Sequence, residues 1–202
     1  GRHEALRLGD GLQRRTPLSG FYTYMNGFHP MKDDPLMQVE AHHYCRQVTE
    51  DFAECILFDG NGPDARLTGI EYIISEDLFN ALPEEERPYW HPHNFEILSG
   101  QLAAPGLPSL AEHALLETKM NSYGKTWHVW DRDGHRGPAD FPYGPAMLAW
   151  SFNRDGEVDS QMLGARDTRM GIDTWENRRR RRDLVALARP QCGIAALRDR
   201  FG

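Results

Sequence analysis

The stretch Trp90-His91-Pro92-His93-Asn94-Phe95-Glu96 is the part of this chain best furnished for chemistry. Histidines two apart on an extended backbone project from one face, so their imidazoles can meet at a single ion; helical spacing does not allow this. A carboxylate close behind completes a His-His-carboxylate set, which suits non-haem iron, manganese or zinc with positions left open. Glu96 has the opposite strand parity to His91 and His93, so a bulge near Asn94 is expected to bring it round. The second group is Glu40-Ala41-His42-His43-Tyr44-Cys45. Neighbouring histidines on a strand face opposite ways, so one of His42 and His43 is expected to join the first pair. His43, which shares its face with Val39, Ala41 and Cys45, is the better enclosed.

The expected ligands are therefore His91, His93, Glu96 and one of His42 or His43. Glu71 would orient a histidine or add a carboxylate. Cys45, Tyr44, Trp90 and Trp127 are expected around the pocket. The implied cofactor is one divalent ion, iron ahead of zinc or manganese, serving a small organic substrate. Each residue also has a structural reading: H-x-H pairs occur at turns, a buried His43 can be a hydrogen-bonded core residue, and Cys45 and Cys55 can be inert thiols. The order H-x-H, acid, turn glycine resembles the cupin pattern. It departs from it in having two residues before the acid, and no glycine at the usual distance ahead. No G-x-G-x-x-G after a strand, P-loop, H-E-x-x-H or G-x-S-x-G occurs, so no nucleotide cofactor is expected.

Periodicity supplies the elements that must hold these groups. Alternation predicts strands over 37–48 and 54–58, joined by a tight hairpin at Thr49-Glu50-Asp51, although Cys45, Val48, Phe52 and Cys55 also fit helical spacing. Residues 69–74 read as a central strand, with further strands over 95–102, 126–130 and 146–153. Ser75 caps a short helix. Ser109 and Glu112 form a capping box for another that Gly124 ends, and Asp173 opens a last one that Pro190 ends. The fold class is α+β: a mainly antiparallel sheet, a cupin-like His-x-His strand and a few short helices. An N-terminal arm over 1–35, a core over 36–155 and a C-terminal extension over 156–202 complete the expected organisation, with the aromatic patch at Phe21, Tyr22, Tyr24 and Phe28 docking part of the arm.

The 202 residues carry 30 acidic and 23 basic side chains, a net charge of −7, which disfavours nucleic acid as a partner. Arg178, Arg179, Arg180, Arg181 and Arg182 are the local exception, read as a solvated helix face or a surface for anions. No apolar run approaches the ~18 residues of a membrane span. An odd cysteine count, three, and no apolar leader core among residues 1–10 point to free thiols and a cytoplasmic location. An exposed edge strand would suit a homodimer.

Gln38-Val39-Glu40-Ala41-His42-His43-Tyr44-Cys45, Gly69-Ile70-Glu71-Tyr72-Ile73-Ile74-Ser75, Leu82-Pro83-Glu84-Glu85-Glu86 and Tyr89-Trp90-His91-Pro92-His93 closely resemble the oil-body-associated protein family. Tyr123-Gly124-Lys125-Thr126 and Gly144-Pro145-Ala146-Met147-Leu148 extend the likeness, which covers roughly residues 20 to 182. The resemblance implies association with oil bodies in plant members. Relatives also occur in bacteria and fungi, and this chain is read as a member of that type. The resemblance brings no catalytic residues with it. Two functions follow as expectations: a metal-dependent enzyme, or a non-catalytic protein peripheral to lipid droplets or membranes.

Overall fold

The alternating run from Gln38 is a strand, β2 (Gln38–Thr49), which turns directly into β3 (Phe52–Phe58). The structure is a computed structural model and describes residues 16–135, 137–138 and 140–201. With β1 (Thr23–Pro30), β4 (Leu67–Ile74), β5 (His91–Pro92), β6 (Tyr123–His128) and β7 (Met147–Leu148), these strands form one antiparallel sheet in the order β1-β2-β3-β4-β6-β5. β7 pairs with β6 beside β5. The helices among the described residues are short: α1 (Glu76–Asn80), α2 (Asn94–Leu98), α3 (Ser109–Glu117), α4 (Ser160–Met170) and α5 (Thr174–Arg180). The α+β class stands.

The sheet twists and curls until its two ends meet. Met31, just past β1, bridges Ala149, just past β7. Lys32 N–H donates to Leu148 and Trp150 N–H to Pro30, each at 2.8 Å. Asn26 and Ala103 exchange a further pair of backbone bonds. These contacts occupy the edge of β1. Met25, Cys45, Cys55, Leu57 and Ile73 line the inside of the curl, and Ile97 of α2, Leu116 of α3 and Leu184 close over them.

Several expectations change. Residues 1–15 of the proposed arm lie outside the described residues, and Thr23–Pro30 is strand β1. The strand expected at 95–102 begins as helix α2, because its apolar positions Ile97 and Leu102 need only one face against the sheet. The Ser109 and Glu112 box does not form. Pro108 is the N-cap, and Glu112 instead accepts from the backbone N–H of Ala104. Gly124 lies inside β6, not at a helix end. The strand expected at 146–153 shrinks to β7. Ser75 and Asp173 do cap α1 and α5 through their side chains, but a 3₁₀ turn (Asp183–Leu187) replaces the last part of the final helix.

One further correction concerns chemistry. Cys45 and Cys55 are a disulfide, because they are directly opposed on β2 and β3 and both face inward. Among the described residues Cys192 is the free thiol. The C-terminal segment packs onto the sheet: Arg166 of α4 is wholly buried over the Phe28 ring and donates to Asn26 Oδ1 at 2.6 Å and Gln101 O at 2.9 Å.

Candidate metal centre

Strand parity gathers the site. On the inner face β1 contributes His29, β2 His43, β4 Glu71, β5 His91 and β6 His128, and the start of α2 adds His93 and Glu96. All seven side chains are buried, none more than 6% exposed. The His-x-His pair does not lie along one strand. His91 is in β5, whereas His93 is the N-cap of α2 with helical backbone angles. The helical turn, not a bulge at Asn94, carries Glu96 to the interior.

Glu71 sits at the middle. Its Oε2 is 2.9 Å from His43 Nε2, and its Oε1 is 3.2 Å from His93 Nε2 and 3.5 Å from His91 Nε2. The Nε2 atoms of His91 and His93 are 3.2 Å apart. The outer ring nitrogens meet acceptors. His43 Nδ1 lies 3.2 Å from the carbonyl of Ala41, which can only accept. The Ser122 hydroxyl donates to Lys119 O at 2.7 Å, so it accepts from His93 Nδ1 at 2.8 Å. Nδ1 of His43 and of His93 is thus engaged by an outer acceptor, and each Nε2 is directed at the Glu71 carboxylate. Beyond them, His29 Nδ1 is 3.0 Å from His128 Nε2.

Within this cluster, among the described residues, His91 Nδ1 and Glu96 Oε1 are buried without a hydrogen-bond partner. Glu96, His91 and His29 each offer a ligand atom within 4.8 Å of the others', as do Glu71, His91 and His93, and His29, His43 and Glu71. Burial pushes His91 and His128 down to about 4, the latter helped by His43, and holds His29 well below the usual imidazole range. Burial works to raise Glu71, but the imidazoles of His43, His91 and His93 overcome it and keep the carboxyl well below its ordinary value. Glu96 is pushed well above, by burial and then by the charge of Glu71.

Gly124 makes room for this cluster. A Cβ there would lie 2.2 Å from Glu71 Oε1 and 2.5 Å from His93 Nε2. His128 reaches a cavity of about 180 Å³ that is also lined by Val39, Glu40, Asp59, Thr68 and Met162.

Other sequence candidates lie elsewhere. His42 faces away from the cluster, donating from Nε2 to Glu40 at 3.1 Å and accepting from the Tyr24 hydroxyl at 2.6 Å. Tyr44 is on that same outer face, stacked on Tyr24. Cys45 faces inward but is bonded to Cys55. Trp90 packs with Ile74, Phe79 and Tyr123, and Trp127 lies on the outer face of β6 beside Tyr89. Trp150 is the indole beside the cluster, 6.1 Å from the His91 ring. In the arginine run, Arg181 is no surface contact: it is buried and donates to Ile97 O and Leu102 O at 2.8 Å. His29 and His128 were missed. His29 fell in the supposed arm. His128 did carry a signal, since it shares strand parity with Gly124 and Thr126.

No helix among the described residues is long and apolar enough to cross a membrane. The family model described as "Protein of unknown function (DUF1264)" matches residues 15–185. Oil body-associated protein 1A of Zea mays is 37% identical over 191 residues, spanning 95% of this chain and 78% of that protein. Oil body-associated protein 1B of Arabidopsis thaliana is 34% identical over 192 residues, with 95% and 77% covered, and Oil body-associated protein 2A of Zea mays 36% over 194, with 95% and 76%. These relatives are plant proteins and lend no support to the bacterial or fungal type expected from sequence. No solved structure matches. With likeness of this extent to the family model and to several relatives, the chain belongs to the oil body-associated protein family.

Proposed function

We propose that the cluster holds one divalent transition-metal ion and that the chain is a metal-dependent enzyme acting on a small organic or lipid-derived substrate. The observation that carries this reading is a convergence of ligand atoms: Nε2 of His43, His91 and His93 all close on the one buried carboxylate of Glu71, and each outer Nδ1 of His43 and His93 meets an acceptor. A buried site of that kind requires either protons, which burial disfavours on imidazole, or a cation. The Nδ1 partners match the arrangement in which a ligating imidazole donates its other N–H to a backbone carbonyl or a hydroxyl.

Distances support the fit. Donors about 2.0–2.2 Å from one ion lie roughly 2.8–3.6 Å apart in octahedral or tetrahedral arrangement. The edges among His91 Nε2, His93 Nε2 and Glu71 Oε1 are 3.2, 3.2 and 3.5 Å. Two imidazoles and a carboxylate on one face favour non-haem iron, with zinc or manganese as alternatives. Glu71 takes the central role that the sequence reading gave to Glu96. When bound, the ion would supply Lewis-acid or redox chemistry at its open positions. His29, His43 and Glu96 border the remaining space, and His128 faces the cavity from which substrate enters. Glu96, whose carboxyl is pushed above its ordinary value by burial, is placed to donate a proton.

The names of the relatives support a second component, peripheral association with lipid bodies. Elemental analysis of protein purified without added metal tests the central reading. Stoichiometric metal that disappears in both His91→Ala and His93→Ala is expected. Metal-free wild-type protein that takes up no iron, zinc or manganese and still floats with lipid droplets would leave a non-catalytic surface role instead.

A further inference from the structure

Helix α2 has a second side. While Glu96 enters the cluster, Phe95 and Leu98 line a separate cavity of about 570 Å³ against α5 and the 3₁₀ turn beyond it. That volume falls within the ~300–1,000 Å³ usual for small-ligand sites. Trp175 and Val185 complete its apolar walls although they are 62% and 58% exposed. Arg178, Arg179, Arg182 and the buried Ser99 supply its polar groups, and no carboxylate lines it.

The three arginines differ. Arg178 is committed to Asp155 through two bonds, at 2.8 and 3.1 Å, and Arg179 to Glu176. Arg182 is exposed and, among the described residues, its guanidinium has no hydrogen-bonding or ionic partner. The groove therefore offers apolar walls beside one uncompensated positive charge. We propose that it binds a single-chain amphiphile with one anionic head, the tail against Phe95, Leu98, Trp175 and Val185 and the head on Arg182. A guanidinium takes a carboxylate through two parallel bonds, and the walls recover the cost of exposed apolar side chains. A flat anionic membrane is the poorer fit, because such surfaces are held by several free basic groups and here one is free. This site is separate from the metal reading and stands or falls without it.

Calorimetric titration with sodium decanoate below its critical micelle concentration tests the proposal, with 1-decanol and acetate as the tail and head alone. One decanoate per chain is expected, with acetate not binding and decanol at least tenfold weaker. Arg182→Gln and Val185→Asp, both at exposed positions and checked by thermal melting, should each weaken decanoate at least tenfold. Equal affinity in wild type and both variants would overturn the site, as would decanol binding as tightly as decanoate. Capture by phosphatidylserine vesicles that depends on Arg182, without decanoate binding, would also overturn it and assign the arginine to a membrane surface.

Discussion

Cys55 lies directly opposite Glu71 on adjacent strands, and Cys45 lies opposite Cys55. One rung of the sheet thus runs from the disulfide to the central carboxylate and on to Thr126 of β6. Bridging a sequence separation of 10, the disulfide closes a short loop and is worth roughly 2–3 kcal/mol by the chain-entropy argument. Cys45→Ser with Cys55→Ser, or reductant, should lower unfolding stability toward the small end of that range, because the ladder already aligns the strands. Urea unfolding with and without reductant measures it.

Gly124→Ala should damage the centre without touching a polar group. Its methyl would overlap Glu71 Oε1 and His93 Nε2. Overpacking of this kind costs about 1–3 kcal/mol, and metal bound by the proposed site should fall at least tenfold. Wild-type metal content in this variant would argue that the imidazoles are not where the ion sits.

The two buried glutamates should respond differently to amide replacement. Glu71→Gln removes the one carboxylate held ionised among the imidazoles, so metal affinity measured by chelator competition should drop at least tenfold. Burial and the charge of Glu71 push the Glu96 carboxyl well above its ordinary value, toward the neutral form that glutamine mimics, so its glutamine isostere should change the stability of metal-free protein by less than about 1 kcal/mol.

Acid should weaken the metal-free protein in two stages. His91 and His128 titrate at about 4 when folded and near ~6.5 when unfolded. Their contribution is complete above the unfolded value and is lost as pH falls through about 4. Glu40 is raised by burial, but its hydrogen bonds with His42, Arg169 and Asn26 prevail and bring it to about 2. Its contribution is present above ~4.3 and disappears as pH falls through about 2. Glu96 works oppositely, losing stability as pH rises above its unfolded value. Melting temperatures at pH 7, 5.5, 4 and 3 check this; an unchanged value from pH 6.5 to 4 would contradict the histidine contribution.

Arg166→Ala should be the most destabilising of these changes, by about 3–5 kcal/mol. It strips partners from Asn26, Gln101 O, Thr174 and Asp167 at once. Chemical denaturation of purified protein, or failure to accumulate folded protein, reads it out.

Much of the sheet was legible. Alternation at Val39, Ala41, His43 and Cys45 gave the inner face of β2, and the apolar faces of residues 69–74 gave a strand that does lie between β3 and β6. What escaped was set by contacts distant in sequence. β1 is punctuated by Gly27 and Pro30, so its strand character depends on pairing with β2 and on Ala103. His29 could not be placed until that pairing was known. Residues 95–102 read as a strand because a short apolar run has no periodicity that separates strand from one turn of helix. Glu71 was read as supporting the site because nothing local shows that three imidazoles from three other elements turn toward it.

The curl that brings Met31 to Ala149 also decides when the cluster comes into being. Its imidazoles are drawn from positions 29 to 128, and the strands that carry His29 and His91, β1 and β5, are at opposite ends of the hydrogen-bonded order. No hairpin or fragment of the chain contains the set, and contacts of such sequence separation form late. Occupancy of the centre would therefore register completion of the whole topology. A truncated or half-assembled chain would keep its β2–β3 hairpin and yet have nowhere to seat an ion.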